Sequence, residues 1–292
     1  VRILVTNDDG VRAPGIAALA RAAVTTGHDV VVVAPLIDYS GASAAVGPVH
    51  SRQGVDYEAH AIEGLGDHVG TFGIDGPPAL AVILACVGGF GPRPDIVLSG
   101  INHGINVGRS AMHSGTVGAA LTGAHFGLRC LAVSIRWGDD PVPWETASTM
   151  AAALVPVLEE SPAGTTLNLN VPNVALAQLR GLRHGRLGRG GTIRSAVHSS
   201  GDDVAPLPHV ALPPGQTGTL RLDLTAPGSS RRVHPDTDAG LLALDYASLT
   251  ALVGVREAGG EADDVLDTAL EALYGVPGVS PGGDPETETR AE

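Results

Sequence analysis

The sequence predicts an α/β protein with a mostly parallel, doubly wound sheet flanked by helices, and three observations predict it. β-Branched apolar runs alternate with Ala- and Leu-rich helical stretches as far as Pro172. The chain is 43% hydrophobic but only 3% aromatic, so its core has to be built from Ala, Val, Leu and Ile, as suits a sheet buried on both faces. Polar, Gly-rich segments fall just after several apolar runs, where an open parallel sheet binds its ligands. With 292 residues the chain can bury a sizeable core, as one large domain or one domain with an appended subdomain.

RILVT at residues 2–6 is the first strand, an Ala/Leu-rich helix runs from about Gly15 to Val24, and DVVVVAP ends a second strand at Pro35. The polar stretch from His50 to Gly73 reads as a hairpin or small subdomain inserted in the sheet, followed by a helix from about Pro77 to Val87, with proline acceptable in a first turn. Asp95 to Ser99 is the next strand, and a loop containing Gly100, Gly104, Gly108 and Gly115 leads into a helix through Ala119, Ala120 and Leu121. A strand from Cys130 to Ile135, a helix from Trp144 to about Leu158 and a strand over 166–172 complete a core assigned to residues 1–180, with the last strand closing the sheet.

Beyond it the periodicity weakens. Residues 181–255 read as an extended, β-rich arm or subdomain, with one convincing strand near Leu220 to Leu224 and a last strand from about Ala247 to Val255 returning to the core. Residues 256–275 contain a helix from Asp263 to Tyr274, and the Pro-, Gly- and acid-rich tail of residues 276–292 reads as disordered.

A formal charge of −13, with no basic runs or interleaved aromatics, argues against nucleic-acid binding. Any phosphate must be handled locally, and a cation is one way to do so. Cys86 and Cys130, both in apolar surroundings, read as small core residues of a reducing compartment. Neither a basic segment followed by a long apolar stretch nor a membrane span is visible, so a cytoplasmic protein is expected.

Three loops should converge at one edge of the sheet. RILVT is followed by Asn7, Asp8, Asp9 and Gly10, VVVVAP by Ser40, Gly41 and Ser43, and DIVLSG by Asn102, His103 and Asn106. Adjacent carboxylates repel, and keeping both ionised in a confined site calls for a cation or a raised pKa. With the Ser40 hydroxyl and the Asn102 amide oxygen added, the shell is all oxygen, which suits Mg²⁺ or Mn²⁺ better than zinc. A metal there would polarise phosphoryl oxygens and activate water for attack. NDDG is equally a turn-forming tetrapeptide. Ser114, Gly115 and Thr116 open a helix, where hydroxyls and free N–H groups either cap the helix or bind an anion. His103 and His113 lie in these loops and are candidate phosphate contacts, whereas His28 and His125 read as structural and Asp139/Asp140, Asp202/Asp203 and Asp263/Asp264 as solvated charge.

The segments RILVTNDDGVRAPGIAALA, APLIDYSGAS and SGINHGINVG followed by HSGTVGAAL together resemble the SurE (survival protein E) nucleotidase family, with weaker echoes in LNLNVP and TDAGLLALDYASLTAL. The resemblance implies an α/β SurE fold and one divalent cation, Mg²⁺ or Mn²⁺, held at Asp8, Asp9, Ser40 and Asn102. It implies hydrolysis of nucleoside 5'-monophosphates by metal-activated water, with Asp8, Asp9 and Asn7 as the catalytic set. By the same resemblance Asn7, Gly41, Ser43, Asn106, Ser114, Gly115 and Thr116 line the phosphate, and the chain forms a homodimer or homotetramer through a C-terminal arm, for which Gly181 to Pro235 is the candidate. Arg109 and His113 stand where the family usually has acidic residues and a Tyr, Thr122 replaces a common Glu, and Gly76 to Leu80 replaces a T-P-x-D-C segment. These departures touch leaving-group recognition and oligomer contacts, so a phosphatase for a sugar phosphate or specialised metabolite is the alternative, and a non-catalytic nucleotide-binding protein a second.

Overall fold

Alternation along the first strand decides the layering. In β1 (Arg2–Thr6), Ile3 and Val5 face one side of the sheet and Leu4 the other, and all three are fully buried. The structure is a computed structural model and describes residues 1–47, 49, 54–66, 68–189, 193–200, 203–205, 219–224, 234–256 and 269. Ile3 and Val5 join a core with α1 (Pro14–Thr25) and α4 (Trp144–Glu160), through Ile16, Leu19, Ala151 and Val155. Leu4 joins the opposite core with α2 (Pro78–Cys86) and α3 (Gly115–His125), through Leu80, Val82, Val117 and Ala120. The result is a three-layer α/β/α fold, as expected for β-branched strands covered on both faces.

The remaining strands are β2 (Asp29–Pro35), β3 (Tyr57–Ala59), β4 (Thr71–Ile74), β5 (Ile96–His103), β6 (Arg129–Ile135), β7 (Thr166–Val171), β8 (Leu182–His184), β9 (Ile193–Ser200), β10 (Asp203–Ala205), β11 (Thr219–Leu224) and β12 (Ala247–Leu252). The main sheet has the order β3-β4-β2-β1-β5-β6-β7-β12-β8. β1 therefore lies between β2 and β5, both parallel to it, and the strand order runs outward in both directions from that point. β3 pairs antiparallel with β4 and β12 antiparallel with β7, while β8 runs parallel to β12. A second sheet has the order β10-β9-β11.

Several expectations are corrected. β5 does not stop at Ser99: a register shift between Ser99 and Asn102 carries it on to His103. Gly100 permits this, with φ of +138° and so little room that a Cβ would fall 2.3 Å from the Val133 carbonyl oxygen. The 166–172 strand does not close the sheet, because β12 and β8 lie beyond it. The 181–235 stretch contains β8, β9 and β10 besides β11, strands too short or too polar to stand out by periodicity. The last strand ends at Leu252, and α5 (Asp238–Leu242) is a five-residue helix, too short to show a 3.6-residue pattern.

Val1–Gly254 forms one compact unit and Val255–Glu292 a second. Of the second only residues 255, 256 and 269 are described, so the predicted helix over 263–274 and the 276–292 tail lie outside the described residues apart from residue 269. Cys130 is buried and Cys86 half-buried, both free thiols, and burial pushes both thiol pKa values up. No helix among the described residues is long and apolar enough to cross a membrane.

Candidate active site

The chain leaves β1 with two carboxylates in succession. Asn7 shapes that exit: its Nδ2 donates to the Gly10 carbonyl at 3.1 Å and its Oδ1 accepts from the Gly10 N–H at 3.2 Å. The turn reading of NDDG is thus realised, with Asn7 bracing the loop that carries Asp8 and Asp9. Asp8 is only 2% exposed. It accepts from the Thr116 hydroxyl at 2.5 Å and from the Thr116 backbone N–H at the start of α3. The positive end of the α3 dipole therefore serves Asp8 directly. Gly115 makes the approach possible, because a Cβ there would fall 2.7 Å from the Asp8 Cβ and 2.8 Å from its Oδ2.

Burial raises the Asp8 carboxyl above its ordinary pKa, the Thr116 hydrogen bonds pull it partly back, and the nearby Asp38 charge adds to the rise. Asp9 is pushed up to about 7, first by burial, then by the charges of Asp8 and Asp38, against a lowering hydrogen bond from the backbone of His103.

The loop after β2 is tied to this point from two sides. The Tyr39 N–H donates to the Asp8 carbonyl at 2.7 Å, and the Val11 N–H to the Pro35 carbonyl at 2.8 Å. Ser40 donates its N–H to Asp38 Oδ1 at 2.7 Å and leaves its side chain at the exposed rim. Gly41 and Ser43 have φ of +84° and +54°, which turns the chain towards α3. There the Ser43 hydroxyl donates to the Met112 carbonyl at 2.6 Å and the Ser43 N–H to the His113 carbonyl at 3.2 Å. A Cβ at Gly118 would fall 2.2 Å from the Ser43 carbonyl oxygen, so α3 and this loop are in backbone contact.

The third loop arrives through the β5 bulge. It brings the His103 backbone to Asp9 and sets Asn102, whose Nδ2 donates to the Gly104 carbonyl at 2.6 Å, immediately before it. Asn106 is engaged behind the site: its N–H donates to Asn170 Oδ1 at 2.7 Å, its Nδ2 to Ser134 Oγ at 2.9 Å, and its carbonyl accepts from Asn168 and Asn170. Ser114 caps α3, its Oγ accepting from the Val117 N–H at 3.1 Å. Arg109 and His113 are exposed, on the 3₁₀ turn Gly108–His113, and Thr122 spends its hydroxyl on the Gly118 carbonyl.

Direct contacts thus join Asp8, Asp9, His103, Gly115 and Thr116; Asn102 precedes His103 in the chain, and Ser40 follows Tyr39, whose N–H bonds the Asp8 carbonyl. Asn7, Ser43 and Asn106 have side chains committed to neighbouring parts of the protein. Sequence reasoning missed Asp38, whose position just past a strand end was a usable signal. It also missed Asn168 and Asn170, two residues apart in β7 and therefore on one face, and Asp238, a fully buried carboxylate in the helix-opening pattern TD.

A mostly parallel sheet with helices on both faces, and with a carboxylate pair at the carboxyl end of its first strand where the strand order diverges, defines an α/β protein of the open, doubly wound class. The chain belongs to the SurE family: the family model described as "Survival protein SurE" matches residues 3–193. It is 42% identical over 197 residues to a protein of Xylella fastidiosa (strain 9a5c) named 5'-nucleotidase SurE, a match covering 64% of this chain and 70% of the relative. It is 35% identical over 257 residues to the 5'/3'-nucleotidase SurE of Edwardsiella ictaluri, covering 86% of this chain and 89% of the relative. The crystal structure of the SurE protein from Aquifex aeolicus superposes with a TM-score of 0.68 at 25% identity, over 93% of this chain and 99% of that one.

Proposed function

We propose that this chain is a 5'-nucleotidase, hydrolysing nucleoside 5'-monophosphates to nucleoside and inorganic phosphate with one divalent cation, Mg²⁺ or Mn²⁺, at Asp8, Asp9, Ser40 and Asn102. The observation that carries the reading is the carboxylate pair at the end of β1, Asp8 buried and Asp9 half-buried, both raised in pKa, with the Asp38 charge adding to the rise. The names of the relatives support the same activity.

The residues present fit a hard cation. Among the described residues no group of three or more His, Cys, Asp or Glu is placed to hold a metal, so Asp8 and Asp9 would be completed by neutral oxygens, from Ser40, Asn102, water and substrate. That set suits Mg²⁺ or Mn²⁺ and lacks the imidazole and thiolate ligands zinc prefers. When bound, such a cation supplies Lewis acidity towards the phosphoryl oxygens.

The chain's own residues do the positioning. Thr116 holds Asp8, the His103 backbone holds Asp9, and the Gly41–Ser43 turn and the Ser114–Thr116 helix opening wall the space where the phosphate would lie. Asn7 and Asn106 brace the first and third loops, and Arg109 and His113 stand further out. In the net reaction the ester P–O bond breaks, the oxygen of water joins phosphorus, and the leaving oxygen takes up a proton.

A screen of nucleoside monophosphates, sugar phosphates and simple monoesters tests the reading. Nucleoside 5'-monophosphates are expected to be cleaved fastest with Mn²⁺ or Mg²⁺, and turnover to stop on chelation. No hydrolysis of any monoester with either cation would overturn it, and faster cleavage of sugar phosphates would transfer the site to that class. Gly115→Ala provides a sharper test of geometry. Its Cβ must push Asp8 aside, and a displacement of about 1 Å in such a site costs on the order of 100-fold in kcat/KM. Turnover within threefold of the parent would show that Asp8 is not held where the chemistry needs it.

The same proposal includes a core of residues 1–180, an arm of 181–255 and a homodimer or homotetramer built through that arm, read out by light scattering of the full chain.

A further inference from the structure

Trp137 is 69% exposed, the most exposed aromatic side chain among the described core residues, yet its position is closely fixed. The residue before it, Arg136, donates its N–H to the Val171 carbonyl at 2.9 Å and its guanidinium to the Leu242 carbonyl. The residue after it, Gly138, is wedged against Asn173 so tightly that a Cβ would overlap the Asn173 amide at 1.6 Å. The indole edge lies over Gly104, where a Cβ would fall 2.8 Å from Nε1 and 3.5 Å from the Asn102 amide nitrogen. One indole face is covered by the His103 ring, with centroids 4.0 Å apart and planes tilted by 30°. His103 is backed in turn by Trp144, at 5.5 Å edge to face, and its Nε2 is buried without a hydrogen-bond partner among the described residues.

A rigid aromatic surface costs little further entropy when a ligand covers it. The location of this one is specific. His103 gives its backbone to the Asp9 carboxylate and its ring to Trp137, so the indole stands one side chain away from the carboxylate pair and directly beside Asn102. A phosphomonoester with its phosphate at Asp8 and Asp9 would extend its leaving group over this rim.

Resting on the phosphomonoesterase reading above, we infer that Trp137, backed by His103, is the stacking platform for the planar leaving group of the substrate, the nucleobase of a nucleoside monophosphate. Stacking needs a flat partner and no particular edge pattern, so the platform favours nucleotides over sugar phosphates without choosing strongly among bases.

The test compares Trp137→Ala and Trp137→Phe with the parent enzyme on AMP and on ribose 5-phosphate. From the usual worth of one base–aromatic stack, Trp137→Ala is expected to lower kcat/KM for AMP by roughly 10-fold or more. Ribose 5-phosphate should be unaffected within about twofold, and Trp137→Phe should recover most of the loss. The chain has two Trp residues, so Trp144→Phe leaves Trp137 as the only indole emitter. Under chelator, adenosine, which carries the base without the phosphate, should quench that emission saturably and ribose should not. Equal losses on both substrates, or a changed subunit number with unchanged AMP preference, would overturn the platform. Absence of AMP hydrolysis by the parent would sink the nucleotidase reading alone, because the fluorescence titration reads stacking without turnover.

Discussion

Asp9→Asn is expected to lower phosphatase kcat/KM by about 1,000-fold or more while making the metal-free protein more stable at pH 8 than the parent. The loss follows from the several kcal/mol that a cation in such a site contributes to transition-state charge stabilisation, at about 1.4 kcal/mol per factor of ten. The gain follows from the electrostatics of the two carboxylates in the chelated protein. Asp9 has an ordinary pKa of 3.8 and is pushed up to about 7 in the fold by burial, then by Asp8 and Asp38. Between those two values the folded state binds the proton that the unfolded chain releases. The metal-free protein therefore loses stability as pH rises from near 3.8 to about 7, and the full penalty persists above that window. An amide at position 9 removes the penalty, so the Tm of the metal-free variant should depend less on pH and exceed that of the parent at pH 8. Mn²⁺ should raise the Tm of the parent more at pH 8 than at pH 5.5, and the variant's hardly at all. Thermal melts with chelator or Mn²⁺ read this without any turnover. A parent whose metal-free Tm rises from pH 5.5 to pH 8 would show that the carboxylate pair is not the repulsive element proposed.

The parts of this arrangement that were legible in the sequence are those that depend on local pattern. RILVT and DVVVVAP announce buried parallel strands because β-branched residues in short runs have few other uses, and the loops that follow them mark the ligand edge of the sheet. Asp8 and Asp9 could be placed at that edge from position alone. What their neighbours do could not. The commitment of Thr116 to Asp8 depends on α3 approaching β1 closely enough for Gly115 to touch the carboxylate, which is a tertiary contact. The β5 bulge was equally hidden, because Gly100 in SGIN reads as the start of a loop unless the carbonyl of Val133 on β6 is known to lie against it. Asn168 and Asn170 looked like ordinary alternation in LNLNV, and only the arrival of Asn106 across β6 and β7 shows why that face is polar.

Asp238 is the extreme case of such a long-range role, and Asp238→Ala is expected to be the most destabilising single substitution argued for this chain. Its carboxylate is fully buried and accepts from the N–H groups of Gly108 at 2.6 Å, Gly188 at 3.0 Å and Ala239 at 2.9 Å. These donors come from the site loop, from the segment after β8 and from the first turn of α5, so one side chain joins three parts of the chain. Alanine leaves the Gly108 N–H buried without an acceptor, at about 1–3 kcal/mol, and takes the acceptor from the part-buried Gly188 and Ala239 N–H groups at roughly 1 kcal/mol each, for a total of roughly 3–5 kcal/mol. For a chain of this size that lowers Tm by about 10 °C or more. Asp238→Asn should recover only part of the loss, since the donors use both carboxylate oxygens and one would become an NH₂ group facing an N–H. Gly108 begins the turn that leads to Ser114 and Thr116, so loosening it also loosens the support of Asp8. Both variants should therefore lose kcat below their melting range, with the alanine change losing more. A Tm within 2 °C of the parent for Asp238→Ala would mean that these donors find other acceptors, and that the carboxyl-terminal segment does not hold the site loop in place.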